Sequence, residues 1–119
     1  MSKTILVVDD SRMSRMMIST IIKTHKPEWT IIEAGGGEEA LVNVEGKAID
    51  IMTIDMNMPG MDGVTLGGEL RKLYPNAHIA LVTANIQDAV KKKAEAAQMQ
   101  FVPKPITEDR IMEFVNANS

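Results

Sequence analysis

"IMTIDMNMPGMDG" occupies Ile51 to Gly63. It starts as an apolar run, closes that run on a carboxylate, Asp55, and then turns through Pro59-Gly60 and Asp62-Gly63. A short, nearly continuous apolar run bounded by turn residues marks a strand buried on both faces, as in a parallel sheet. Proline presets φ, glycine accepts a positive φ, and aspartate bonds its own backbone, so both pairs read as turns. A strand that needed only to be buried would not finish on an acid.

The same pattern recurs along the chain. "TILVV" (Thr4 to Val8) is another apolar run, and it ends on Asp9 and Asp10. "WTIIEA" (Trp29 to Ala34), "IDIMTI" (Ile49 to Ile54), "AHIALV" (Ala77 to Val82) and the very short "FV" (Phe101, Val102) complete a set of five strands. Helical stripes lie between and after them. Ser11 to Lys23 places Met13, Met17 and Ile21 at i, i+4 and i+8, with Ile18 and Ile22 beside them, and Pro27 ends the segment. A turn at Gly35-Gly36-Gly37 leads to a short helix carrying Ala40, Leu41 and Val44. Leu66, Leu70 and Leu73 mark a helix closed by Pro75. Asn85 to Ala97 sets Ile86, Val90, Ala94 and Ala97 on one face, and Thr107 to Asn116 turns Ile111, Met112 and Val115 inward. Most of the ten methionines read as core fillers on such stripes.

Strict alternation of five strands with five helices predicts an α/β domain. Right-handed crossovers and one reversal of winding give a doubly wound, five-stranded parallel sheet, order 2-1-3-4-5, flavodoxin-like in outline. At 119 residues, 45% of them apolar, the chain reads as one domain over 1–119. The absence of cysteine rules out a disulfide framework and a thiolate zinc site. A net charge of −3 argues against sequence-independent nucleic-acid binding. No apolar stretch approaches the ~18 residues of a membrane helix, and the start lacks a signal-peptide pattern. The expectation is a cytoplasmic monomer with no membrane contact.

Open α/β sheets bind ligands beyond the carboxyl ends of their strands, at the switch in winding. Asp9 and Asp10 follow the first strand, Asp55 the third, Thr83 the fourth, and Lys104 the fifth. Three carboxylates this close repel one another unless a cation sits among them. Hard oxygen ligands without cysteine point to Mg²⁺. A lysine and a threonine hydroxyl opposite suit a phosphoryl group on Asp55, whose oxygens the metal, Lys104 and Thr83 would neutralise.

Blander readings compete. Asp10 could cap the first helix. Asp62 reads as a turn or cap residue. The three glycines at 35–37 lack a following Lys-Ser/Thr, so a plain turn outweighs a phosphate cradle. Lys91-Lys92-Lys93 reads as a solvated helix face, and His25 and His78 as surface residues.

"VVDDS" (Val7 to Ser11), "DMNMPGMDG" (Asp55 to Gly63), "TA" (Thr83, Ala84) and "KP" (Lys104, Pro105) stand in order on the matching strand–helix pattern. Together they make the whole chain resemble the receiver domains of two-component response regulators, most nearly the single-domain, CheY-like chemotaxis type. The resemblance implies that Asp55 accepts a phosphoryl group from a histidine kinase or phosphotransfer protein. It implies that Asp9, Asp10, Asp55 and the main-chain carbonyl of Asn57 hold Mg²⁺, and that Lys104 binds the phosphoryl group. Thr83 would move toward that group, with Ala84 small enough to leave access, and Phe101 would be the switch aromatic. Pro105 would follow a cis peptide. The face formed by the fourth helix, fifth strand and fifth helix would then change its affinity for an output protein, such as a flagellar motor switch. Phe101 carries no hydroxyl, so packing alone would couple it to Thr83.

The sequence departs from the family pattern at several points. Asn57 and Asn85 sit where the family tunes phosphoryl lifetime. Ala97-Gln98 stands where a glycine often ends the fourth helix, and Ile106 where an aromatic often follows Lys-Pro. Met99-Gln100 replaces an acidic pair carried by many DNA-binding regulators. The rival within the family is a receiver cut from a larger regulator with a DNA-binding or enzymatic output domain. A haloacid-dehalogenase-type phosphatase would need an acid two residues after Asp55, and Asn57 cannot shuttle a proton.

Overall fold

The computed structural model describes residues 2–118. Its elements run β1 (Thr4–Val8), α1 (Arg12–His25), β2 (Thr30–Ala34), α2 (Gly37–Asn43), β3 (Ile51–Asp55), α3 (Gly63–Leu73), β4 (His78–Thr83), α4 (Asp88–Ala96), β5 (Gln100–Pro103) and α5 (Glu108–Ala117). The five strands form one parallel sheet in the order β2-β1-β3-β4-β5. The expected architecture and strand order are those observed.

Strand alternation divides the core into two layers. Leu6, Val8, Met52, Ile54, Ile79 and Leu81 face α2, α3 and α4, meeting Ala40, Leu66, Leu70, Val90 and Ala94. Ile5, Val7, Ile51, Ala80 and Val82 face the other way, onto Ile18 and Ile22 of α1 and Ile111, Phe114 and Val115 of α5. Burial on both faces is why the strands read as continuous apolar runs. The register then aligns the strand ends: Val8 lies opposite Ile54, Asp55 opposite Val82, and Thr83 opposite Pro103. One edge of the sheet thus collects the residues that follow β1, end β3 and β4, and follow β5.

Several details differ from the sequence reading. On α1 the buried face is Ile18, Ser19 and Ile22, while Met13 is 73% exposed and Met16 and Met17 are exposed beside it. A helix turns about 100° per residue, so the methionine stripe at 13 and 17 lies one step around from the true core face. Helix α4 begins at Asp88, not Asn85, and Ile86 is 64% exposed in the preceding loop. Local side-chain bonds hold that loop: Thr83 Oγ1 accepts from the Asn85 N–H at 3.1 Å, and Asn85 Oδ1 accepts from the Gln87 N–H at 3.1 Å. Such bonds compete with helix formation. Leu73 is exposed. The neighbouring Tyr74 packs against the core instead, its hydroxyl 2.9 Å and 2.7 Å from the Val44 and Lys47 carbonyls. Trp29 is buried but precedes β2. Phe114 joins the buried face of α5, where the sequence reading placed only Ile111, Met112 and Val115.

The missing glycine after α4 has a structural answer. Gln98 takes the left-handed conformation itself, with φ 57°. Its carbonyl accepts from Arg71 Nη2 at 2.7 Å, which holds the turn in a conformation that L side chains disfavour.

Candidate functional site

Asp9 follows β1 and is 1% exposed; Asp55 ends β3 and is 6% exposed; Asp10 is exposed beside them. One carboxylate oxygen from each of the three lies within 4.8 Å of the other two. Lys104 Nζ reaches across to Asp55 Oδ1 at 3.1 Å and Asp9 Oδ2 at 3.3 Å. The other Asp9 oxygen accepts from the Ser11 N–H at 2.9 Å. The Lys104 N–H donates to the Thr83 carbonyl at 2.9 Å, tying the end of β5 to the end of β4. The Lys104–Pro105 peptide is cis. Thr83 is buried at the same edge.

The turn residues of the opening stretch also find their places. Gly60 has φ +84°, a conformation that favours glycine. Asp62 caps α3, its Oδ1 accepting from the Thr65 N–H at 2.8 Å, and it lies outside the carboxylate cluster. Gly63 lets the start of α3 lie directly on β3, because a Cβ there would run into the carbonyl oxygen of Asp55. The sequence reading treated Gly63 only as half of a turn pair. The cap of α1 is Ser11, whose Oγ accepts from the Ser14 N–H at 3.2 Å. The capping alternative for Asp10 is therefore overturned: the hydroxyl one residue later does that work.

Charge dominates the cleft. Burial first, then the Asp9 carboxylate, push the Asp55 carboxyl above its ordinary range; Lys104 pulls it back in part, and Asp10 adds to the rise. Burial pulls Lys104 down, but its bonds to Asp55 and the charges of Asp55 and Asp9 outweigh that and raise it overall. Lys104 is therefore a firm cation, yet one ammonium faces three acids. The residual repulsion, felt at Asp55, is what a divalent cation would relieve. The donor set is all hard oxygen, which fits Mg²⁺. The Asn57 carbonyl accepts no hydrogen bond among the described residues, so it too is open to a cation.

Phe101 is half-buried on β5 and packs against the layer of α2, α3 and α4. Lys91 Nζ, on α4, lies 5.5 Å from its ring centroid, a cation–π distance. This contact adds a charge to the packing around the ring and involves a residue other than Thr83. Of the lysine run at 91–93, all three are exposed, and Lys91 has this added contact. His25 and His78 are exposed, as expected. No helix among the described residues is long and apolar enough to cross a membrane.

Comparison with known proteins places this edge in context. The family model described as "Response regulator receiver domain" matches residues 5–116. The chemotaxis protein CheY of Thermotoga maritima is 36% identical over 118 residues, covering 98% of this chain and 97% of its own. A solved structure of the chemotaxis protein CheY4 of Vibrio cholerae has the same fold, with a TM-score of 0.92 at 23% identity over 100% of both chains. A CheX–CheY–BeF3–Mg complex from Borrelia burgdorferi aligns with a TM-score of 0.87 at 27% identity, over 97% of this chain and 87% of that one.

Proposed function

This chain belongs to the family of response regulator receiver domains, signalling domains rather than classical enzymes, and we propose that it is a Mg²⁺-dependent phosphoaspartate switch with Asp55 as the phosphoacceptor. One observation carries the proposal. Three carboxylates from two strand ends meet within 4.8 Å, and a lysine from a third bridges two of them. The cluster lies beyond the carboxyl ends of a parallel sheet, where ligands bind, and Asp55 is a buried carboxylate within it.

In this reading an Asp55 carboxylate oxygen forms a bond to phosphorus as the N–P bond of a phosphohistidine breaks, leaving its electron pair on the imidazole nitrogen. Lys104, already 3.1 Å from Asp55, stays beside the oxygens that gain charge. Asp9, Asp10, Asp55 and the Asn57 carbonyl would hold Mg²⁺, which when bound supplies electrostatic stabilisation of the transferring phosphoryl group. The Thr83 oxygen already accepts from the Asn85 N–H, so its own proton is free to bond a phosphoryl oxygen. That bond exists in only one of the two states, which is what lets Thr83 bias a switch. Phe101 and the α4–β5–α5 face then change position and partner affinity.

The likeness to chemotaxis CheY along nearly its whole length supports a single receiver domain over residues 1–119. It also supports a cytoplasmic chemotaxis or phosphorelay role, with a histidine kinase or phosphotransfer protein upstream. The CheX–CheY complex, in which a related chain is bound by a second protein, supports a protein partner here.

Acetyl phosphate or phosphoramidate with Mg²⁺ should add one phosphoryl group, visible by mass spectrometry and labile to hydroxylamine. Asp55→Asn should abolish it. A modification that persists in Asp55→Asn at full yield puts the acceptor elsewhere and overturns the proposal.

A further inference from the structure

Arg15 lies in the second turn's reach of the carboxylate cleft without touching any carboxylate in it. Its Nη1 donates to the main-chain carbonyl of Asp9 at 2.6 Å. Its Nε lies 3.5 Å from Glu33 Oε1 on β2. The hydroxyl of Ser19, a buried residue on α1, donates to the other Glu33 oxygen at 3.2 Å. Gly35 closes the remaining side, since a Cβ there would come within 3.3 Å of Nη1. The guanidinium is thus confined between β1, β2 and its own helix. Charge-assisted hydrogen bonds of this kind are roughly twice as strong as neutral ones.

The Asp9 carbonyl belongs to the peptide that leads into Asp10. The ladder to β2 finishes at the preceding atoms, where the Asp9 N–H donates to the Ala34 carbonyl at 3.2 Å. No main-chain N–H donates to the Asp9 carbonyl among the described loop and cap bonds, and Arg15 fills that place. The two acids differ in what fixes them. The Asp9 carboxylate is bonded at both oxygens, to the Ser11 N–H and to Lys104. The Asp10 carboxylate is exposed, and no side-chain hydrogen bond anchors it among the described residues. Its position depends on the backbone that carries it, and Arg15 holds the peptide plane at the start of that backbone.

We infer that Arg15 is a positioning residue for the cation site: by bonding the Asp9 carbonyl it sets the direction in which Asp10 presents its carboxylate. Glu33, held in turn by Ser19, orients the guanidinium for this. The inference rests on the Mg²⁺ reading of the cleft. Groups that orient metal ligands from behind typically change metal affinity by about 10- to 100-fold when removed.

The test is a Mg²⁺ titration of the 119-residue chain at constant ionic strength, followed by amide NMR and calorimetry. Arg15→Met should weaken Mg²⁺ binding by about 10-fold or more. Arg15→Lys, which keeps the charge and one donor, should recover part of that loss, and Glu33→Gln should lose less than Arg15→Met. At saturating Mg²⁺ the Asp55 amide of Arg15→Met should shift as in the wild type, while the Asp10 amide should not. A purely structural role would lower the melting temperature and leave the affinity of the folded protein unchanged, which would overturn the inference. Should Arg15→Met fail to fold, Arg15→Lys and Glu33→Gln decide: wild-type Mg²⁺ affinity in both overturns it. If the wild type itself binds no Mg²⁺, the reading of the cleft falls and this inference with it. Wild-type binding with an unaffected Arg15→Met removes the Arg15 role alone.

Discussion

Two glycines of α3 show how differently one residue type can be used. Gly63 begins the helix against the Asp55 carbonyl, and any Cβ there meets backbone, which cannot rotate away. Gly68 lies in the helix interior with nothing within 4 Å of an added Cβ. Gly63→Ala should therefore destabilise the fold by about 3 kcal/mol, the upper part of the usual overpacking range, and displace Asp55. Gly68→Ala should stabilise it by about 0.5–1 kcal/mol, because alanine loses less backbone entropy in a helix. Urea denaturation of the two variants gives the comparison. Equal and small effects would mean that α3 can slide away from β3, and that Gly63 does not position the acid.

Between β4 and α5 the elements are joined by contacts that differ in strength. The Lys104 N–H bonds the Thr83 carbonyl, and Arg71 ties the turn after α4 to α3. The Lys91–Phe101 contact is the softer link. A cation–π contact at an exposed site is worth about 0.5–1 kcal/mol, or a two- to five-fold population change. Because Lys91 holds the ring where it lies in the resting protein, Lys91→Gln should raise the alternative ring position by that factor before any phosphorylation. Side-chain NMR of Phe101, with and without beryllofluoride, measures this. Thr83→Ala provides the contrast: phosphorylation of Asp55 should continue, but the ring should no longer respond. A ring in the same environment in Lys91→Gln and wild type would assign its position to packing alone.

For the whole molecule, the acid cleft is a source of instability as well as of chemistry. The folded-state pKa of Asp55 is raised, so the native state binds a proton that the unfolded chain does not, over the window between its ordinary and raised values. Stability therefore falls as pH rises through that raised value. Lys104 acts with the same sign in a more alkaline window. Its raised pKa contributes stability that is full below the ordinary lysine value and lost as pH climbs through the folded one. Without Mg²⁺, Asp55→Asn should melt above the wild type at neutral pH, by about 3–6 °C for each kcal/mol relieved. The gap should close as pH falls through the raised Asp55 pKa toward the ordinary carboxylate value. Added Mg²⁺ should raise the wild type and narrow the gap from the other side. Thermal melts across pH check both; a gap independent of pH would show that Asp55 is not the strained acid.

The five strands, the helices between them, their parallel order and the edge that collects Asp9, Asp10, Asp55, Thr83 and Lys104 were legible in the sequence alone. Each depends on neighbours in the chain: apolar runs set strands, turn residues bound them, and right-handed crossovers leave few ways to order a sheet. Asp62 as a cap and the lysine run as an exposed face were readable for the same reason. The tertiary structure decided what depends on distant contacts. The rotation of α1, which exposes Met13 and buries Ile18 and Ile22, was set by the sheet beneath it. The late start of α4 came from bonds of Thr83 and Asn85 that no periodicity reports. Gln98 could hold a left-handed turn because Arg71, 27 residues away, bonds its carbonyl. The bond from Arg15 to the Asp9 carbonyl, and the ammonium of Lys91 over Phe101, exist only once strands and helices are packed. A sequence pattern records which side chains are apolar and how they repeat; which carbonyl a guanidinium reaches is settled by the packing of the whole chain.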